Sequence, residues 1–218
     1  MPIIDEPQIR AMMPNGGSRL AAHIPHIEKA LVWGKITTPA RIAAFMAQLA
    51  HESGEYLYME EIADGSAYEG RRDLGNLQPG DGPKFKGHGP IQITGRNNHE
   101  RCGGALGLDL IGNPRLLCEP QYGTLSAAWF WNDKRLSPLA DVGWFKTITK
   151  RINGGYTHLD RRVGYWNDNR RLLGLPPVDI AGEDAAIREF QRKNGLAVDG
   201  DAGTRTIDAL ERVLAPSA

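Results

Sequence analysis

The apolar residues Ile42, Phe45, Met46 and Leu49 recur at the spacing of one helix face, and Glu52 falls next on the same stripe. A helix with such a face turns it toward a core. The pattern therefore carries a carboxylate inward at the helix end. Removing that group from water costs free energy unless it is paired, protonated or set in a cleft. Two readings stay open on this ground: a tuned acid, or one half of a cap salt bridge. Thr37-Thr38-Pro39 opens the helix with a Thr cap and Pro in the first turn.

The rest of the chain is read mostly as helix. Residues 5–13 and 18–33 carry helical patterns, with Leu20, Ile24, Ile27 and Leu31 in register and Pro25 expected to bend or restart the second. Helical patterns continue from residue 96, at 121–133 (taken as the central core helix), at 139–151 and at 158–174. The aromatics Trp129, Phe130, Trp131, Trp144, Tyr165 and Trp166 read mostly as core, with one or two of them open to lining a sugar site by stacking on ring faces. Residues 62–90 are a long turn-rich loop, with Asp64-Gly65, Pro79-Gly80 and Asp81-Gly82-Pro83 as turn signals; loops of that length are usually functional or mobile. Ile91-Gln92-Ile93-Thr94 alternates apolar and polar residues. It predicts a short strand of a small hairpin, with Gln92 and Thr94 on one face.

Gly174-Leu175-Pro176-Pro177-Val178 reads as a linker. It divides a domain at 1–175 from a segment at 176–218, whose helical patterns run from Ala185 to Lys193 and from Thr206 to Leu214. The tail is net acidic and the rest net basic, so that 26 Lys and Arg balance 26 Asp and Glu over 218 residues. That balance argues against a nucleic-acid binder. With only Cys102 and Cys118 a disulfide scaffold is excluded, and two free thiols are preferred to one bridge. No apolar stretch is long enough to span a membrane. The start, Met1-Pro2-Ile3-Ile4-Asp5-Glu6, has no basic n-region and no apolar core. Synthesis in a cytoplasm is expected, with no stable membrane insertion.

Glu61 lies nine residues after Glu52. On one continuous helix that spacing puts the two on opposite faces. They share a site only if the helix stops between them, and Ser53-Gly54 supplies a stop. Two carboxylates across a cleft are what glycosidic hydrolysis needs, one as acid for the leaving oxygen and one as base for water. On spacing alone Glu55 and Glu60 compete with Glu61. His51-Glu52 lacks the second His of a zincin helix, since position 55 is Glu55. His23 and His26 have ligand spacing but no evident third ligand. Neither a metal nor a cofactor is expected.

Three motifs occur in order: Ala47-Gln48-Leu49-Ala50-His51-Glu52-Ser53-Gly54, then Gly87-His88-Gly89-Pro90-Ile91-Gln92-Ile93-Thr94-Gly95, then Ile152-Asn153-Gly154-Gly155. Over residues 20 to 174 the chain resembles glycoside hydrolase family 19, and within it the phage and prophage endolysins of that chitinase-like group. The resemblance implies a mainly α, lysozyme-like domain with a small β-hairpin beside the cleft, followed by a short helical tail. It implies Glu52 as general acid, Glu61 as the base and Thr94 as a hydroxyl that helps hold the water. It places His51, Gln92, Asn98, Asn153 and Arg162 along the sugar cleft, Arg162 pairing with a carboxylate. The segment Gly95-Arg96-Asn97-Asn98-His99 departs from plant chitinases, which carry tyrosines there together with extra loops and disulfides. A more open cleft is the consequence.

The tail, with Phe190-Gln191 on a helix and Asp199-Gly200-Asp201-Ala202-Gly203-Thr204-Arg205-Thr206 after it, is similar to the second half of the peptidoglycan-binding helical module. The resemblance thus implies an endolysin that hydrolyses β-1,4 bonds of peptidoglycan glycan strands with inversion. The carboxyl groups would stand about 6.5–9.5 Å apart. Such an enzyme would act as a monomer on the cell wall after a separate protein permeabilises the membrane. The rivals are a lytic transglycosylase releasing anhydro sugars, a chitinase, and a non-catalytic wall-binding protein.

Overall fold

The computed structural model describes residues 3–215. Residues 1–2 and 216–218, which belong to the start and the tail segment read from the sequence, lie outside the described residues. Among the described residues eleven α-helices follow one another: α1 (Glu6–Met12), α2 (Gly17–Trp33), α3 (Pro39–Ser53), α4 (Asp81–Lys84), α5 (Arg96–Leu106), α6 (Pro120–Asp133), α7 (Ser137–Asp141), α8 (Phe145–Asn153), α9 (Leu159–Leu172), α10 (Glu183–Lys193) and α11 (Thr204–Leu214).

Helix α3 begins as its sequence predicts. The Thr38 hydroxyl accepts from the Arg41 N–H at 3.3 Å, and Pro39 takes the first turn. Every residue from Ile42 to Ala50 is buried, so α3 and not α6 is the most enclosed helix. Its small residues Ala43, Ala44, Ala47 and Ala50 let neighbours approach on all sides. α9 packs along α3, and α6 along α2. Phe45 meets Trp131 of α6 edge-on at 5.5 Å, and Phe145 stacks on Trp166 at 4.4 Å. Pro25 lies inside α2, which continues through it as one element.

Two expectations are corrected. The helix predicted over 139–151 is two helices, α7 and α8, because Gly143 adopts φ +76 and turns the chain between them. The hairpin is absent: no strand forms among the described residues, only single bridges from His88 to Glu60 and to Ile93. The Ile91-Gln92-Ile93-Thr94 segment is a tight turn. Gly89 and Gln92 both take positive φ, Gln92 N–H donates back to Gly89 C=O at 3.0 Å, and Pro90 has no N–H to extend a ladder. Alternation there reflects that turn and does not put Gln92 and Thr94 on a strand face.

The tail joins the same core as the rest. Ile187, Ala202, Ile207 and Leu210 cluster with Trp144 and Ile148, and Phe190 meets Trp144 edge-on at 5.7 Å. The opposite net charges of the two segments meet in ion pairs of Lys146 with Asp184 at 2.7 Å, Lys150 with Asp201 at 3.0 Å, and Arg135 with Asp208 and Glu211 at 2.7 Å each. Both cysteines are free thiols, Cys102 buried and Cys118 half-buried. No helix of the described residues is long and apolar enough to cross a membrane.

Candidate active site

Helix α3 ends at Ser53, and the turn after it is left-handed over three residues: Gly54 at φ +56, Glu55 at φ +58 and Tyr56 at φ +68. Only glycine takes that conformation freely; other residues lose about 1–2 kcal/mol each. Buried contacts hold the two that do not fit. Glu55 accepts from Asn15 N–H at 2.5 Å, Asn15 Nδ2 at 3.0 Å and Tyr165 Oη at 2.7 Å. Tyr56 shares a hydrogen bond with Thr124 at 2.7 Å and stacks on His23 at 4.0 Å. Ser53 caps the turn, its hydroxyl donating to Leu49 C=O and accepting from Tyr56 N–H. Gly54 has a second reason to be glycine, since a Cβ there would meet the Tyr58 ring at 3.1 Å.

This turn sends the chain back across the end of α3. Glu52, Glu61, Glu60, Tyr58, Ile62, Ala63 and Gln92 line one cavity of about 310 Å³. A second, of about 540 Å³, shares Glu52 and Tyr58 and runs on past His51, Glu55, His158, Arg161 and Tyr165. Glu52 thus stands where two halves of a cleft meet. Its Oε1 accepts from Arg162 Nη1 at 2.5 Å, and Arg162 is 2% exposed. The same Nη1 donates to Gln48 Oε1 at 2.6 Å, and Arg162 Nε to Thr157 C=O at 3.2 Å.

The three glutamates that competed as partners have separate fates. Glu55 is spent on the turn. Burial works against the charge of Glu60, but the hydrogen bond from Lys86 and the charges of Lys86 and Arg115 outweigh it and hold the carboxyl below its ordinary value. Glu61 has no cation in ion-pair contact among the described residues. It accepts from Tyr68 Oη at 2.8 Å and from Gly87 N–H at 2.8 Å, and its own N–H donates to Gly87 C=O at 2.8 Å. Each Glu61 oxygen keeps a lone pair for a water.

Gln92 is held beside Glu61, its Nε2 donating to Gly89 C=O at 2.8 Å. Its Oε1 lies so close to Gly87 that a Cβ there would stand at 2.6 Å. His51 lines the second cavity 5.4 Å from the His158 ring. Burial, then the charges of Arg162, His158 and Arg161, bring His51 down to about 4. Thr94 donates to Gln92 C=O at 3.0 Å and Asn98 Nδ2 to Thr94 C=O at 2.8 Å, so these two stand behind Gln92. Neither of them lines the two cavities, and nor does Asn153, exposed at the end of α8. Among the described residues no group of three His, Cys, Asp or Glu could hold a metal ion.

Gln48, Tyr58, Tyr68, His158 and Arg161 were not among the residues expected at the site. Gln48 carries a signal, one helical turn before Glu52 on the same face. Tyr68 carries none, since it lies in the turn-rich loop.

The fold is shared with solved chitinases. Chitinase C from Streptomyces griseus superposes with a TM-score of 0.69 over 82% of this chain and 79% of that one, at 22% identity. A bacterial family 19 chitinase gives 0.65 over 81% and 98%, also at 22% identity. Residues 31–142 match the class I chitinase family model, and the chain belongs to that family, glycoside hydrolase family 19. Residues 183–210 match a putative peptidoglycan binding domain. An endochitinase of Arabidopsis thaliana is 38% identical over 143 residues, 62% of this chain and 49% of that protein. A basic 30 kDa endochitinase of Solanum lycopersicum is 33% identical over 210 residues, 76% of this chain and 63% of that protein. The alignments span about half the length of the first of these relatives.

Proposed function

We propose that this chain hydrolyses the β-1,4 bonds between amino sugars of peptidoglycan by single displacement with inversion. The observation that carries the proposal is that Glu52 and Glu61 line one cavity while holding different partners. Glu52 donates a proton to the leaving glycosidic oxygen. Arg162, bound to Oε1, stabilises the carboxylate that this transfer leaves behind. Glu61 takes a proton from a water on the opposite face of the sugar, and that water adds to the anomeric carbon as the bond to the leaving sugar breaks. Tyr68 and the Gly87 N–H fix the Glu61 carboxylate, so little ordering is needed at the moment of reaction. Gln92, held by Gly89 C=O, and His51 face the glycan. Thr94 and Asn98 support Gln92 from behind the cleft.

Peptidoglycan is preferred to chitin because the tail matches a putative peptidoglycan binding domain. The chitin reading draws on the endochitinase relatives and stays as the second hypothesis. On this reading the proposed role is that of an endolysin, made in a bacterial cytoplasm and acting on the wall once a separate protein opens the membrane. Purified peptidoglycan and chitin are the substrates to assay. Wild type is expected to clear peptidoglycan, and Glu52→Gln to lose clearing by about 10²–10⁴-fold while still sedimenting with the walls. Clearing retained in Glu52→Gln, or none in wild type, contradicts the proposal.

A further inference from the structure

The tail contains a buried carboxylate that the proposed reaction does not use. Glu183, the first residue of α10, is 5% exposed, and burial pushes its pKa up against the hydrogen bonds that lower it. Its Oε2 accepts from Lys146 N–H at 2.8 Å. Its Oε1 accepts from Thr147 N–H and Thr147 Oγ1, both at 2.7 Å. These are first-turn donors of α8, which no side chain of its own segment caps. A residue of the tail therefore caps a helix of the catalytic segment and places negative charge at its positive end.

Helix α8 leads directly to the site. Two residues after Thr147, the buried Thr149 Oγ1 accepts from Gln48 Nε2 at 2.8 Å. Gln48 is 1% exposed, and its Oε1 accepts from the Arg162 Nη1 that also reaches Glu52. Arginine only donates, so the Gln48 amide can face it only with its oxygen, and its NH₂ must then find Thr149. Thr149, Gln48 and Arg162 are buried and Thr147 is half-buried, so the path from Glu183 to Glu52 runs mostly inside the protein.

We propose that Glu183 is a positioning residue for Glu52: by capping α8 it holds Thr149, and through Gln48 the Arg162 guanidinium, in place against the acid. The tail then supports catalysis on any glycan, including one too short to engage a wall-binding surface. The inference rests on Glu52 being the general acid.

The test uses the full chain and a soluble hexamer of β-1,4-linked amino sugars, of whichever class the wild type cuts. Glu183→Ala, Glu183→Gln, Thr149→Val and the double variant Glu183→Ala/Thr149→Val are compared by kcat, KM, pH–rate profile and Tm. Glu183→Ala and Thr149→Val should each lower kcat roughly three- to thirtyfold with KM little changed. In both, the pH–rate profile should change as well, because the guanidinium beside Glu52 loosens. Glu183→Gln keeps one acceptor for Thr147 and should recover part of the loss. The double variant should lose no more than the worse single one. A lower Tm with kcat and profile unchanged in folded Glu183→Ala makes the cap structural only and overturns the proposal. If Glu183→Ala does not fold, unchanged kcat and profile in both Glu183→Gln and Thr149→Val overturn it. Turnover retained in Glu52→Gln would instead remove the acid reading beneath it, so the two failures are distinguishable.

Discussion

Glu60 and Glu61 are adjacent in the chain and bound to different chemistry: Glu60 pairs with Lys86 and Arg115 at 3.0 Å each, while Glu61 accepts from the Tyr68 hydroxyl and the Gly87 N–H at 2.8 Å each. Glu61 is therefore the one free to accept a proton without first breaking an ion pair. Glu61→Gln should lower kcat by about 10²–10⁴-fold. Glu60→Gln should lower it by less than about fivefold, the scale of a partly exposed ion pair. Steady-state kinetics on soluble glycan separates the two, and a larger loss in Glu60→Gln would exchange their roles.

The left-handed turn makes a second prediction. Glu55 supplies three hydrogen bonds that tie Asn15 and Tyr165 to the end of α3. Glu55→Ala removes all three bonds, though exposed Asn15 and half-buried Tyr165 can turn to water, and should cost about 1–2 kcal/mol. Chemical denaturation should show the loss as a lower midpoint at unchanged slope. Activity of the folded fraction should fall as well, because the same turn sets where Glu61 returns to the cleft.

Acid should destabilise the fold through its histidines. Burial lowers His23, His88 and His99 from their ordinary 6.5 to about 4. His88 Nδ1 and His99 Nε2 are hydrogen-bonded at 3.1 Å, a pairing that requires one of the two nitrogens to be unprotonated. As pH falls below about 6.5 the unfolded chain takes up these protons first, so it gains relative to the native state. The stability is full above that pH, is lost progressively down to about 4, and stops changing through these groups once the native histidines are charged too. Tm measured from pH 7 to pH 4 should follow that course, and His99→Gln should flatten it. A Tm independent of pH over this window would contradict the buried neutral histidines.

Much of this was legible in the sequence, and the limits have physical causes. The stripe Ile42, Phe45, Met46, Leu49 and Glu52 gives the helix and its carboxylate because a helix of fixed pitch turns spacing into direction. Arg162 as a partner for a carboxylate could be expected from the family resemblance. The turn at Gly89–Gln92 could not be told from a strand, because four residues of alternation fit both. Glu60 and Glu61 were inseparable for a similar reason: their partners, Lys86, Arg115, Tyr68 and Gly87, come from loops whose path depends on tertiary packing. The docking of the tail was equally hidden. Glu183 reads as an ordinary first-turn acid of its own helix, and only the fold shows that it caps another.

The most direct measurement is the structure of the first product released from soluble peptidoglycan strands, read by mass and by anomeric NMR before mutarotation. Water activated by Glu61 on the face opposite the Glu52 proton should give hydrolysed reducing ends that appear first as the α-anomer. Ends that appear first as the β-anomer, or anhydro ends lighter by one water, would contradict the roles assigned to Glu52 and Glu61.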